Sequence, residues 1–143
     1  MKVYIAASLE DGEIARYYAS TLEETLSAEI TFKWWECEPH PDSLEEKMQQ
    51  ICAEEMGIIN CDVFIFYNGE KKTSGKYVEY GMAEILWKPI IIIGEEPSML
   101  FKHRAKTFIG KYEKNLIEQI IHAVSELSGM VIKARNLNRL FEQ

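Results

Sequence analysis

The sequence predicts an α/β fold: an open, doubly wound and mainly parallel sheet with helices on both faces. Two continuous apolar runs, Val63–Phe66 and Ile90–Ile93, are typical of central parallel strands that are covered on both sides. Strand-like and helix-like segments alternate along the chain, as such a sheet requires. The length of 143 residues fits a single domain over 1–143.

The first third of the chain supplies a strand, a helix and a second strand. Val3–Ala7 is a short apolar run. Apolar residues then recur every four positions over 11–28, which predicts an amphipathic helix. Residues Glu29–Trp35 alternate apolar and polar side chains and predict a strand, in which Trp34 and Trp35 point to opposite faces.

A capping box predicts where the next helix begins. Ser43 is the expected N-cap, and Glu46 stands three positions later. The helix is expected to run to about Ile59. Its expected inner edge consists of Leu44, Met48, Ile51, Cys52 and Glu55 or Met56.

The second half continues the alternation. A polar loop over 68–75 leads to a helix over 76–87, which Lys88-Pro89 ends because proline disfavours helical geometry in the preceding residue. Thr107–Ile109 is expected to be an edge strand. Two helices, 112–127 and 131–141, are expected on either side of a break at Gly129. The five strands then form a flavodoxin- or Rossmann-like sheet.

Composition excludes several classes of function. Sixteen basic against 23 acidic residues give a net charge of −7, which argues against a nucleic-acid partner. No membrane-length apolar run is present, and no signal peptide is expected. An odd number of cysteines without paired spacing predicts reduced thiols and a cytoplasmic protein. The scattered histidines have no metal-ligand spacing, so no metal or other cofactor is expected.

Two loops are the expected ligand-binding segments. In open parallel sheets, ligands bind outside the carboxyl ends of the strands. The loop over 7–12 follows the first strand, and the loop over 67–75 follows the strand Val63–Phe66. Glu79 lies near the start of the next helix, where the helix dipole is expected to keep it ionised. An ionised carboxylate can attack an anomeric carbon, although a solvated surface acid is the alternative.

The segment around Glu79 carries a family resemblance. Residues 74–83, followed by Lys88-Pro89, resemble the signature of the nucleoside 2-deoxyribosyltransferase-like superfamily, which includes 2′-deoxynucleoside 5′-monophosphate N-hydrolases. Segments 3–8 and 60–65 extend the resemblance over roughly residues 1–95. It implies cleavage of an N-glycosidic bond in a nucleoside or nucleotide, with Glu79 as the nucleophile.

The resemblance also implies further site residues. Glu54 matches an acidic position that protonates the leaving base or positions the sugar, with a surface acid as the alternative. Glycine at position 81 is expected to allow close packing near the nucleophile. Substrate contacts are expected from Ser8, Gly12, Asn68, Thr73, Ser74 and Gly75.

The markers of the subfamily conflict. Thr73 stands where deoxyribosyltransferases carry aspartate and monophosphate hydrolases carry serine, which favours hydrolysis. Glu10 and Asp11 would repel a 5′-phosphate. The basic cluster 102–106, which includes His103, could supply phosphate contacts across a homodimer, or it is a solvated loop.

Three other functions remain open: a base-exchanging deoxyribosyltransferase, a TIR-like NAD glycohydrolase, and a nucleotide-binding module without activity. The expected partner is a small nucleoside or nucleotide. Neither nucleic acid nor a membrane is expected. A homodimer is expected through the exposed apolar faces of the last two helices.

Overall fold

Five parallel strands form the sheet, in the order β2-β1-β3-β4-β5. The computed structural model describes residues 1–71, 73–95, 107–110 and 114–141. The order is that of flavodoxin-like sheets, so the predicted fold class is confirmed. The strands are β1 (Lys2–Ala6), β2 (Glu29–Ile30), β3 (Val63–Asn68), β4 (Ile90–Gly94) and β5 (Thr107–Ile109).

Helices cover both faces of this sheet. On β3, the Phe66 ring packs against Tyr80 on one face, whereas the next residue, Tyr67, packs against Tyr18 on the other. Residues in β1, β3 and β4 are almost fully buried, because each strand lies between two helical layers. The helices are α1 (Gly12–Leu26) and α4 (Leu116–Phe141), which contact each other, and α2 (Leu44–Asn60) and α3 (Ser74–Ile85), which also contact each other.

The capping box of α2 is confirmed, but its predicted inner edge is wrong. The Ser43 Oγ accepts a hydrogen bond from the backbone N–H of Glu46 at 3.1 Å. The buried residues of α2 are Gly57 and Ile58. The apolar residues expected inside are exposed, namely Leu44, Met48, Ile51 and Met56. Apolar periodicity identifies a face of a helix, but it does not say which neighbour that face contacts.

The predicted strand over Glu29–Trp35 is also wrong beyond Ile30. The buried Trp34 donates its indole N–H to the carbonyl oxygen of Ile5 at 2.7 Å. Residues Trp34–Glu36 form a short 3₁₀ helix instead of continuing the sheet edge. The two tryptophan rings therefore pack edge to face, 5.4 Å apart, rather than pointing to opposite faces of a strand.

Gly129 does not break the last helix. Helix α4 continues through it to Phe141, although glycine costs about 1 kcal/mol relative to alanine. Burial of Ile120, Ala123 and Val124 on the sheet offsets that cost. Beyond the glycine, the Arg135 guanidinium pairs with the Asp62 carboxylate, which also accepts a hydrogen bond from the backbone N–H of Lys2. Asp62 thus holds α4 against the starts of β1 and β3.

Candidate active site

The carboxylate of Glu79 is held by a tyrosine of the first strand. The Tyr4 hydroxyl donates a hydrogen bond to the Glu79 Oε1 at 2.8 Å. Tyr4 lies in β1, two residues before the strand ends at Ala6, and its ring is stacked on that of Phe64. The fully buried tyrosine ring leaves its hydroxyl little freedom to move. The fold therefore fixes one Glu79 oxygen in place.

Burial makes Glu79 a weaker acid than the sequence suggests. The loss of solvent raises the pKa of Glu79 to about 8, the Tyr4 hydrogen bond lowers it, and the negative charge of Glu54 raises it. Burial therefore opposes the expected effect of the helix dipole and favours the neutral carboxyl. Glu79 is the sixth residue of α3, beyond the first turn to which the dipole effect is confined.

Glu54 is brought to the same site by α2. It is partly buried on the side of α2 that faces the sheet. Burial raises the pKa of the Glu54 carboxyl, a hydrogen bond from the Gln50 amide lowers it, and the charge of Glu55 raises it. Its charge also raises the pKa of both Tyr4 and Glu79. The structure thus brings together the two acids that the sequence analysis names.

Ser8 and Thr73 join the two loops that were expected to bind ligand. The buried Ser8 donates its hydroxyl to the carbonyl oxygen of Lys71 at 2.8 Å. The Thr73 hydroxyl in turn donates to the Ser8 Oγ at 3.3 Å. These hydroxyls support the loop between β3 and α3, and both are occupied by protein partners.

A buried lysine supports the same loop from below. The Lys76 side chain is 2% exposed. Its ammonium group donates to the carbonyl oxygen of Lys71 at 2.8 Å and to the Asn68 Oδ1 at 3.3 Å. It also lies over the Phe66 and Tyr77 rings, 5.7 and 5.3 Å from their centroids. Asn68 donates its amide to the carbonyl oxygen of Glu95 at 2.6 Å, so this side chain positions the ends of β3 and β4.

The other predicted contact residues remain accessible or line a cavity. Ser74 and Gly75 are exposed at the start of α3, and a Cβ at Gly75 would meet no atom within 4 Å. A Cβ at Gly81 would also meet nothing within 4 Å, so the expectation that this glycine allows close packing within the chain is wrong. His103 and the basic cluster 102–106 lie outside the described residues.

A cavity of about 210 Å³ lies after the end of β1, between the loop that follows this strand and the Trp34–Glu36 segment. Gly12 forms part of its wall, where a Cβ would lie 3.4 Å from the Cβ of Trp35. Burial, and then the negative charge of Glu54, raises the pKa of the Cys37 thiol, which lines this cavity. The lining residues are Leu9, Glu10, Gly12, Glu13, Trp34, Trp35, Cys37 and Pro39. The lining thus includes two aromatic rings and two carboxylates.

The sequence patterns do not identify Tyr4 or Lys76 as part of the site. A tyrosine inside an otherwise apolar strand is a usable signal, because a buried hydroxyl needs a partner. Lys76 gives no such signal, because the sequence alone does not distinguish a buried lysine from a solvated one. Within the described ranges, no group of three or more His, Cys, Asp or Glu side chains is arranged to hold a metal ion. None of the described helices is long and apolar enough to cross a membrane.

Comparison with known proteins supports the fold. Neither a protein-family model nor a curated protein matches the chain. Among solved structures, it is similar to a CMP N-glycosidase from Clostridium botulinum, with a TM-score of 0.58 and 19% identity over 84% of this chain and 98% of that one. It is also similar to a 2-deoxyribosyltransferase from Bacillus psychrosaccharolyticus, with a TM-score of 0.65 and 17% identity over 85% and 90% of the two chains. The chain therefore has the deoxyribosyltransferase-like fold.

Proposed function

We propose that this protein cleaves the N-glycosidic bond of a nucleoside or nucleoside 5′-monophosphate, with Glu79 as the nucleophile. The observation that carries the proposal is the pair of partly buried acids, Glu79 and Glu54, whose charges interact. Burial raises both pKa values, and perturbed acids in a cleft are typical of catalytic sites. The fold is one that an N-glycosidase and a deoxyribosyltransferase share.

In the first step, the ionised Glu79 attacks C1′ of the sugar. A C1′–O ester bond forms as the C1′–N bond breaks, and the bonding electron pair leaves on the base nitrogen. Glu54 gives that nitrogen a proton, a role that suits a carboxyl whose raised pKa keeps more of it protonated. Tyr4 holds one Glu79 oxygen, so the other oxygen is free to form the ester.

In the second step, water attacks C1′ and the ester bond breaks. Glu54, now a carboxylate, takes the proton from the water, and Glu79 leaves as a carboxylate. Hydrolysis is favoured over transfer because Thr73 replaces the aspartate of the transferases, and its hydroxyl is bonded to Ser8 rather than directed at a second base.

The cavity that follows β1 offers a place for the base. The partly exposed Trp35 lines it and would provide an aromatic surface for a flat heterocycle. Glu10 and Glu13 also line it and would repel a phosphate there, while accepting hydrogen bonds from amino groups of a base. A 5′-phosphate would therefore have to lie on the side of the exposed residues Ser74 and Gly75.

A panel of nucleosides, 5′-monophosphates and NAD, assayed for released base, tests the proposal. The wild type should release base from a nucleoside or monophosphate, and Glu79→Gln should lose about 1000-fold or more in kcat, because the amide cannot form the ester. Glu118→Gln, which removes an exposed carboxylate from α4, should keep the wild-type rate.

Other outcomes of this assay would contradict particular parts of the proposal. Full activity of Glu79→Gln would disprove the nucleophile. Base exchange that requires an added free base would replace hydrolysis by transfer. Release of nicotinamide from NAD alone would favour an NAD glycohydrolase, and binding without base release would leave a nucleotide-binding module.

A further inference from the structure

The cavity that follows β1 has a size that suits a single heterocyclic ring system. Its volume of about 210 Å³ is below the roughly 300–1,000 Å³ of most sites for small molecules. Two tryptophans, Trp34 and Trp35, contribute to its lining. Two acids, Glu10 and Glu13, also line it. A ligand in this cavity therefore lies near aromatic rings and negative charge together.

The aromatic part of the lining is fixed by the fold. The indole N–H of the buried Trp34 donates a hydrogen bond to the carbonyl oxygen of Ile5 at 2.7 Å. The two tryptophan rings pack edge to face, 5.4 Å apart, and Trp35 remains partly exposed. A Cβ at Gly12 would lie 3.4 Å from the Trp35 Cβ and 3.8 Å from the Trp34 ring. The lack of a side chain at residue 12 thus keeps space open beside both tryptophans.

The charge around the cavity is negative. Glu10 and Glu13 are exposed acids at the start of α1, and among the described residues none of the lining side chains is cationic. The Arg16 Nε lies 3.9 Å from the Glu13 Oε1, in an exposed pair that water screens. The N-terminus of a helix contributes about half a positive charge, which the two carboxylates exceed. The cavity therefore attracts a cation and repels an anion.

Tryptophan and carboxylate side chains together suit a flat organic cation. A cation over an indole face is attracted by the ring electrons, and tryptophan gives the strongest attraction of the aromatic side chains. A neutral heterocycle gains the same packing but not the attraction to the carboxylates. We propose that this cavity binds an aromatic ring that carries a positive charge. Its ligand is a ring such as a pyridinium or an N-alkylated purine.

The cavity is linked to the candidate active site through two residues. Burial, and then the charge of Glu54, raises the pKa of the Cys37 thiol, which lines the cavity. Tyr4, which holds Glu79, lies in the strand that ends before the cavity. The next step rests on the proposed function: a base that occupies this cavity during the reaction makes the substrate a nucleoside whose base is positively charged.

A positive charge on the base changes the proton transfer in the first step. The Glu79 carboxylate forms the C1′–O bond, the C1′–N bond breaks, and the bonding electron pair leaves on the base nitrogen. This electron pair neutralises the base, so no proton from Glu54 is required. The released base is neutral and is attracted less strongly by Glu10 and Glu13, which favours its departure.

Two probes of nearly equal size, 1-methylnicotinamide and nicotinamide, separate the effect of charge from that of shape. The first is a cation and the second is neutral, and neither carries a sugar that Glu79 could attack. Shifts of the tryptophan indole N–H signals in NMR titrations measure their binding to the wild type. The cation should bind about tenfold more tightly and should shift the Trp35 signal. The signal of Trp87, which is exposed near the end of α3, should not move.

Removal of the two carboxylates tests their contribution to this preference. The double variant Glu10→Gln/Glu13→Gln should bind 1-methylnicotinamide about fivefold or more weakly and should bind nicotinamide as the wild type does. The matched control is Glu24→Gln/Glu118→Gln, which removes two exposed carboxylates that do not line the cavity. It changes the net charge equally and should leave both affinities unchanged.

Three results would overturn the proposal: equal affinity for the two probes, tighter binding of the neutral probe, or no shift of the Trp35 signal with either. An equal loss in the control variant would also overturn it, because the preference would then come from overall charge. The test is independent of base release. A preference for the cation without hydrolysis of any nucleoside would support this site and contradict the proposed function. Hydrolysis together with equal probe affinities would do the reverse.

Discussion

The protonation of Glu79 is set by two opposing effects. Burial favours the neutral carboxyl, whereas the Tyr4 hydroxyl donates a hydrogen bond that favours the carboxylate. Burial is the larger effect, and the pKa is about 8. Only the carboxylate can attack C1′, so the proposed reaction should become faster as Glu79 ionises, up to the pH at which Glu54 loses the proton that it gives to the base. A residue with a pKa near the working pH can both attack and leave readily.

Tyr4→Phe should move the pH profile of base release toward higher pH. The change removes the hydrogen bond that lowers the pKa of Glu79, so the carboxylate forms only at higher pH. The rise of kcat/KM, expected near pH 8 in the wild type, should occur at a higher pH in the variant. On the acidic side of the profile, kcat/KM should fall about tenfold for each unit by which the pKa of Glu79 rises, and the loss should be smaller above the new midpoint.

Rates of base release between pH 5 and 10 measure this shift. Tyr17→Phe removes a hydroxyl from an exposed tyrosine of α1 and should leave the midpoint unchanged. A uniform loss at every pH, without a shifted midpoint, would mean that Tyr4 acts by packing and not by stabilising the carboxylate.

At the residue scale, the sequence singles out two acids that the structure brings together, but it does not predict how acidic they are. The motif around Glu79 identified the carboxyl, and the structure places Glu54 beside it. The pKa depends on burial and on a hydroxyl 75 positions away in the chain, which no local pattern encodes. The buried lysine under the loop, Lys76, was missed for the same reason.

At the element scale, the packing of α2 on the sheet depends on a glycine. A Cβ at Gly57 would lie 3.0 Å from the Cβ of Phe32 and 3.1 Å from the Tyr4 ring. The helix thus lies close to β1, and this contact holds the tyrosine that bonds Glu79. The sequence predicted the limits of α2 well, because its cap is a local signal. It could not predict the orientation of the helix, because the larger apolar stripe faces away from the sheet.

Two helical glycines should respond in opposite directions to replacement by alanine. Gly57→Ala should lower the free energy of unfolding by about 1–3 kcal/mol, because the added methyl group overpacks the contact with β1. Gly129→Ala should raise it by up to about 1 kcal/mol, since a Cβ there meets nothing within 4 Å and alanine favours the helix. Urea denaturation measures both. Destabilisation by Gly129→Ala would show that α4 is not helical at this residue.

At the scale of the whole molecule, the sheet could be predicted and the surface could not. Two apolar runs, Val63–Phe66 and Ile90–Ile93, are enough to identify central strands, since only a strand covered on both faces is apolar throughout. The alternation of strands with helices along the chain then restricts the sheet to few possible strand orders. The strand β2 was predicted but its end was not, because a side-chain hydrogen bond from Trp34 decides where the chain leaves the sheet.

The homodimer expected from the sequence would link stability to protein concentration. If unfolding also separates two chains, dilution favours the unfolded state by mass action. Each tenfold change in concentration is worth about 1.4 kcal/mol per dimer, or half of that per chain. The wild-type Tm should therefore rise by about 2–3 °C for each tenfold increase in concentration. A wild-type Tm that is constant from 1 to 100 µM, roughly the range over which a moderately tight dimer dissociates, would contradict the linkage.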